Sequence, residues 1–158
     1  MKILIVVKSK HHDNTLKIAE AMAEVAPATV VDLENVKNFK LREYDIVGFG
    51  SGIYYGKHDK ELLSFVKDVC DKKAYSFVFS TSGSKNFDKN NSTLIKLLES
   101  KNKVVLGSFG CLGLDKFFIF SLFGGLNKDR PNNEDFENAQ NFILDIIEKY
   151  KKQISAEV

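Results

Sequence analysis

Lys2-Ile3-Leu4-Ile5-Val6-Val7, followed by the polar run Lys8-Ser9-Lys10-His11-His12-Asp13 and then by Asn14-Thr15-Leu16-Lys17-Ile18-Ala19-Glu20-Ala21-Met22, joins two different hydrophobic periods. The run Lys2 to Val7 is nearly all apolar and mostly β-branched, as expected of a strand covered on both faces. Beyond the polar run, Thr15, Ile18, Ala19, Met22 and Ala23 share one helical face. Asn14 to Val25 therefore reads as an amphipathic helix, with Asp13 in the capping position and Pro27 shortly after its end. A buried strand leading into a helix through a short polar loop is the opening unit of a wound α/β sheet.

The same alternation continues along the chain. Thr29 to Leu33 is a second strand, Glu34 to Lys40 a polar connection, and Asp45 to Gly50 a third strand. A helix follows from Asp59 with Leu62, Leu63, Val66 and Val69 aligned. Tyr75 to Ser80 is strand four, a third helix follows a cap near Asn91, and Val104 to Phe109 is strand five. The last helix starts after Pro131, with Glu134, Asp135 and Glu137 in its first turns and Phe136, Ala139, Ile143, Ile146, Ile147 and Tyr150 on its apolar face. Five strands separated by helices predict right-handed parallel crossovers and a doubly wound α/β sheet of order 2-1-3-4-5, in one domain over residues 1–158. In such a sheet the ligand site lies beyond the carboxyl ends of the strands. Four loops then matter: Lys8 to Asn14, Ser51 to Asp59, Thr81 to Asn90 and Gly110 to Asn133.

Composition narrows the function. The chain has 158 residues, 44% apolar and 28% charged, which suits a globular domain with a substantial core. Two cysteines, Cys70 and Cys111, make no disulfide framework. The first apolar run leads into Lys8-Ser9-Lys10 and does not resemble a signal peptide, and Phe117 to Phe123 is too short to span a bilayer. A cytoplasmic protein is expected. The net charge is +2 with both signs dispersed, and Arg42 and Arg130 are the only arginines, which argues against nucleic-acid recognition.

The first loop combines hydroxyls, an amide and basic groups with a helix start whose amides attract anions. Ser9, Asn14 and Thr15 are thus candidate neutral donors to a monophosphate, or else an ordinary exposed turn. His11 and His12 have no Cys or acidic partner at ligand spacing, so no metal site is expected. Dinucleotide and nucleoside-triphosphate motifs fail: no glycine precedes Gly48, and Gly56-Lys57 is followed by His58 where a hydroxyl residue is required. The acidic pair and phosphoacceptor of a response-regulator receiver are also missing. The loop Ser51-Gly52-Ile53-Tyr54-Tyr55-Gly56-Lys57-His58 places two tyrosines between glycines at the mouth of the site, which suits a flat ligand. Ser80-Thr81-Ser82-Gly83-Ser84 offers a backbone that a heterocycle can approach closely.

Taken together, these loops resemble the flavodoxin family over nearly the whole chain. Within it the resemblance is closest to short bacterial and archaeal flavodoxin-like proteins with a Gly-Ile-Tyr-Tyr-Gly-Lys-His loop (Gly52 to His58), a Ser-Thr-Ser-Gly loop (Ser80 to Gly83) and an Arg-Pro-Asn segment (Arg130 to Asn132). The resemblance implies one FMN and electron transfer. It implies that the phosphate meets the segment Ser9, Lys10, His11, His12, Asp13, Asn14 and Thr15, with histidines replacing hydroxyl residues and Asp13 replacing a glycine. It further implies that Tyr54 or Tyr55 stacks on the flavin, that the Gly56 peptide lies near its N5, and that Thr81, Ser82 and Gly83 line its pyrimidine edge. Ser51, Gly52 and Ile53 are further candidate cofactor-binding residues by the same resemblance. Tryptophan is absent, so the tryptophan stack common in the family cannot apply.

The segment from Gly110 is rich in phenylalanine. Phe117, Phe118, Phe120 and Phe123 form either a helical turn packed over the sheet edge or an apolar patch for docking a redox partner protein or an oily substrate. Cys111 opens this segment, either near the flavin or simply buried, and Cys70 reads as a buried end of helix two. No side chain stands out as catalytic acid, base or nucleophile. The expected function is an FMN-binding electron carrier serving redox partner proteins. The alternatives are a small FMN-dependent quinone or porphyrin oxidoreductase and a flavin-free binding module on the same fold.

Overall fold

The computed structural model describes residues 1–10, 12–69, 74–114 and 128–158. Strand β1 (Ile3–Lys8) is buried along its entire length and pairs in parallel with β2 (Ala28–Asp32) on one side and β3 (Ile46–Tyr54) on the other. Its side chains alternate between two cores. Ile3, Ile5 and Val7 pack with helix α1 (Asn14–Val25) and the last helix, α4 (Asn133–Ala156), whereas Leu4 and Val6 pack with helices α2 (Lys60–Asp68) and α3 (Phe87–Ser100). Burial on both faces is why the opening run is apolar without alternation.

The sheet continues through β5 (Tyr75–Ser82) to β6 (Val104–Leu112), and the order is β2-β1-β3-β5-β6. Counted without the two-residue strand β4 (Lys57–His58), which pairs antiparallel with the end of β3, this is the expected order 2-1-3-4-5. Two 3-10 segments, Leu33–Asn38 and Leu41–Glu43, fill the polar connection after β2. The first is capped by Asp32, whose carboxylate accepts from the Glu34 amide at 2.8 Å. Glycines let the sheet close on its aromatic core: a Cβ at Gly48 or Gly50 would overlap the ring of Phe77 or Phe79.

Four strands extend beyond the sequence expectation at their carboxyl ends, β1 to Lys8, β3 to Tyr54, β5 to Ser82 and β6 to Leu112. The ladder carries on through polar and small residues, with Ser51 opposite Ser80, Gly52 opposite Thr81, and Thr81 opposite Cys111. Hydrophobic period does not register such residues, although their backbones pair as well as any. Helix α3 begins at Phe87 rather than near Asn91, so Asn90 and Asn91 are buried inside it instead of capping it. Among the described residues no helix is long and apolar enough to cross a membrane. His11, Cys70, and the segment 115–127 with Phe117, Phe118, Phe120 and Phe123 lie outside the described residues.

Candidate functional site

A cleft of about 470 Å³ opens beyond the carboxyl ends of the strands, within the range of small-molecule sites. It is lined by Ser9, Lys10, His12, Asn14 and Thr15 from the first loop and α1, by Gly52, Ile53, Tyr54 and Tyr55 from β3 and its hairpin, and by Thr81, Ser82 and Gly83 after β5. Gly113 and Leu114 after β6 complete it. Three segments singled out in the sequence therefore converge on one cavity. Gly113 and Leu114 were not among the candidate residues. Their only sequence signal was membership of the fourth loop, and what places them is β6 running three residues further than its apolar pattern.

At one end stands the amino terminus of α1. Asp13 occupies the capping position, but its backbone is left-handed (φ 53°) and its side chain makes no capping bond, which corrects the cap expected from sequence. His12 is also left-handed, at φ 55°. The first rung of the helix ladder is the Lys17 amide donating to Asp13 O at 2.9 Å, so the amides of Asn14, Thr15 and Leu16 have no partner within the helix. The side chains expected to meet an anion are partly committed elsewhere. Asn14 Nδ2 donates to Leu114 O at 3.0 Å, and Thr15 Oγ1 lies 2.8 Å from Thr81 Oγ1 with both residues buried. Ser82 Oγ donates to Ser84 O at 2.6 Å, and the Gly113 amide donates to Ser82 O at 3.0 Å. These bonds tie loops one, three and four together and leave backbone amides, Ser9 and His12 as the donor set at this end, while Lys10 is committed to Asp59.

The other end is aromatic. Tyr55 (φ 52°) and Gly56 (φ 76°) are the two central residues of the β3–β4 hairpin, both at the positive φ of a type I′ turn. A tyrosine in this conformation is strained, and its ring is fully exposed. Tyr54 is half-buried, and burial pushes its phenol above the ordinary value. Lys10 Nζ sits 5.6 Å from the Tyr54 ring centroid while pairing with Asp59 at 2.7 Å. Asp59 in turn caps α2, accepting from the Glu61 amide at 2.8 Å. Burial opposes the charge on Asp59, but the Lys10 ammonium and the Glu61 amide outweigh it and hold the carboxyl below its usual range. Lys8, almost fully buried, bridges Glu34 at 3.1 Å and Glu61 at 3.0 Å, and those bonds raise its ammonium well above the lysine range. This ion-pair lattice fixes the first loop against the start of α2.

Three candidates stand behind the cleft rather than on it. Asp13 and Gly56 shape turns, and Ser51 is a buried joint. Its hydroxyl accepts from the Asp59 amide at 3.0 Å and lies 2.7 Å from Gly52 O and 2.8 Å from His58 Nδ1. His58 Nε2 lies 2.9 Å from Asn91 Oδ1, and Asn91 Nδ2 donates to Phe109 O at 3.1 Å. Cys111 is buried in β6 with its thiol pushed up to about 12 by burial, so the thiolate needed for reactivity is suppressed.

Comparison with known proteins agrees with this architecture. The flavodoxin domain family matches residues 4–130. An uncharacterized protein of Methanocaldococcus jannaschii is 41% identical over 151 residues, 93% of this chain and 99% of that protein. Among solved structures, a flavodoxin of Streptococcus pneumoniae superimposes with a TM-score of 0.68 at 17% identity, covering 94% of this chain and 99% of that one. A flavoprotein of Lactobacillus acidophilus in complex with FMN gives a TM-score of 0.57 at 15% identity, over 69% of this chain and 92% of that one. By its fold and by the extent of the family match, the chain belongs to the flavodoxin domain family.

Proposed function

We propose that the cleft holds one FMN and that the protein carries electrons between redox partner proteins. The observation that carries this reading is the polarity of a single cavity. An uncapped helix start with basic side chains lies at one end, and a strained, exposed tyrosine in a positive-φ hairpin lies at the other. An anion tied to a flat ring system matches both ends at once. The residues present fit FMN: the α1 amides, Ser9 and His12 hold the phosphate, with Lys10 lining the cleft from its ion pair with Asp59, and Tyr54 and Tyr55 face the ring. Thr81, Ser82, Gly83, Gly113 and Leu114 close the opposite edge, with Gly52 and Ile53 as the back wall. The FMN-containing Lactobacillus structure on the same fold supports the choice of cofactor.

When bound, the flavin supplies the electron chemistry, and the chain supplies binding, orientation and a fixed electrostatic environment. The ion pairs of Lys8 and Lys10 and the hydroxyl pair of Thr15 and Thr81 hold the loops that contact it, so little reorganisation accompanies a change of charge. The test is fluorescence titration of the FMN-free protein with FMN and with riboflavin, which lacks the phosphate. FMN binding at least ten times tighter than riboflavin is expected. Equal affinities would remove the phosphate from the α1 end of the cleft.

A further inference from the structure

His58 is 2% exposed, in the short strand that backs the cleft, and both its ring nitrogens are engaged. Asn91 fixes their roles. Because its amide nitrogen donates to Phe109 O, its oxygen faces His58 and must accept, so Nε2 carries a proton. Nδ1 of the neutral ring is then an acceptor that looks to the Ser51 hydroxyl. That hydroxyl has one proton and two acceptors within reach, His58 Nδ1 at 2.8 Å and Gly52 O at 2.7 Å, and its own oxygen already accepts from the Asp59 amide. With a neutral ring, the single Ser51 proton cannot serve both acceptors at once. Ser80, the register partner of Ser51 on β5, adds a buried hydroxyl with no partner of its own.

One added proton completes the chain without moving an atom. His58 Nδ1–H then donates to Ser51 Oγ, and the Ser51 hydroxyl donates to Gly52 O on the cleft wall. We propose that His58 is a redox-linked proton acceptor, taking up a proton at Nδ1 when negative charge enters the cleft and passing the change to the wall through Ser51 and Gly52. This rests on the flavin reading above. The balance is one electron from an external reductant to the bound group and one proton from solvent to His58 Nδ1, with no bond to carbon made or broken.

The surrounding charges permit this response. Asp59, next in the chain, favours the charged ring, while the α3 residue bonded to the ring, Asn91, is neutral. Lys10 and Lys8 lie beyond Asp59 and are neutralised by it together with Glu61 and Glu34, and Lys57 in β4 is exposed. Before reduction, burial keeps the imidazole neutral, with its pKa lowered to about 4. Negative charge in the cleft raises that value. Between the two values His58 takes up one proton in the single one-electron step that brings the charge in, and the potential of that step falls by about 59 mV per pH unit, a tenfold change in a one-electron equilibrium.

The test is nitrogen-15 NMR of the histidine rings in FMN-loaded protein, oxidised and then reduced with dithionite, from pH 5 to 9. The His58 signals are assigned by their loss in His58→Gln. The expected result is a neutral Nε2–H ring in the oxidised protein at pH 7 and an apparent pKa at least one unit higher after reduction. A steeper pH dependence of the potential in the native protein than in His58→Gln should accompany it, with Ser51→Ala weakening the effect while retaining His58. Ring signals identical in the two redox states at every pH would overturn the proposal and leave the flavin reading intact. Failure to bind FMN, seen before any reduction, would remove both.

Discussion

Thr15 Oγ1 and Thr81 Oγ1 lie 2.8 Å apart in a buried position, joining the first turn of α1 to the end of β5 across the floor of the cleft. Replacing either threonine by valine keeps the shape and strands the other hydroxyl, which costs about 1–3 kcal/mol. Thr15→Val with Thr81→Val together should cost less than the sum, because no polar group is then left without its mate. Urea unfolding of the flavin-free protein measures all three variants. Additive losses would show that the two hydroxyls do not act as a pair.

Tyr55 combines a left-handed backbone with a fully exposed ring, an arrangement that costs stability and gains nothing from packing. Tyr55→Gly should therefore leave the fold unharmed or stabilise it by up to about 1 kcal/mol. The same change should weaken FMN binding about tenfold or more, since stacking on an aromatic ring contributes about 1–3 kcal/mol for flat heterocycles. Unchanged affinity, read by fluorescence titration, would assign the stacking role to Tyr54.

Burial holds His58 neutral with a pKa of about 4, whereas an unfolded histidine titrates near 6.5. Between these values the unfolded chain binds the extra proton. Stability is thus full above about pH 7 and is lost as the pH falls toward 4, by roughly 3 kcal/mol in all. Asp59 acts lower down: its depressed pKa contributes stability above the ordinary carboxylate range that disappears only in stronger acid. Denaturant unfolding at pH 7 and pH 4.5 should show the histidine loss, and His58→Gln should flatten it.

The ring of Phe79 occupies the space that a side chain at position 50 would need. Gly50→Ala should destabilise the sheet by about 1–3 kcal/mol or more through overpacking, lowering the thermal midpoint by several degrees. Gly56→Ala differs in kind: nothing stands near its missing side chain, and its effect should come from positive φ alone.

The fold was legible because its decisive segments are apolar and periodic. The run Ile3 to Val7, the stripe of Ile18, Ala19 and Met22, and the face of Ala139, Ile143 and Ile146 fall where the period places them. The site was legible where composition is unusual, as at the Tyr54-Tyr55 pair, and less so where ordinary polar residues act through pairing. Ser51, Thr81 and Cys111 read as loop or loop edge, yet they lie in strands, because backbone hydrogen bonds leave no mark in side-chain period. Asn91 resembled a cap, and only the fold turns it toward a histidine 33 residues earlier. Asp13 had the right residue type for a cap, but the left-handed turn carries its side chain away from the helix start.

The central claim is a bound FMN used for electron transfer, and anaerobic reduction tests it most directly. FMN is added to the purified protein, excess is removed, and the yellow complex is titrated with dithionite under its visible spectrum. The account predicts stoichiometric FMN and bleaching in two separate one-electron stages. Bleaching in one concerted two-electron stage would contradict the carrier and favour an oxidoreductase, and a protein that retains no FMN would contradict the reading altogether.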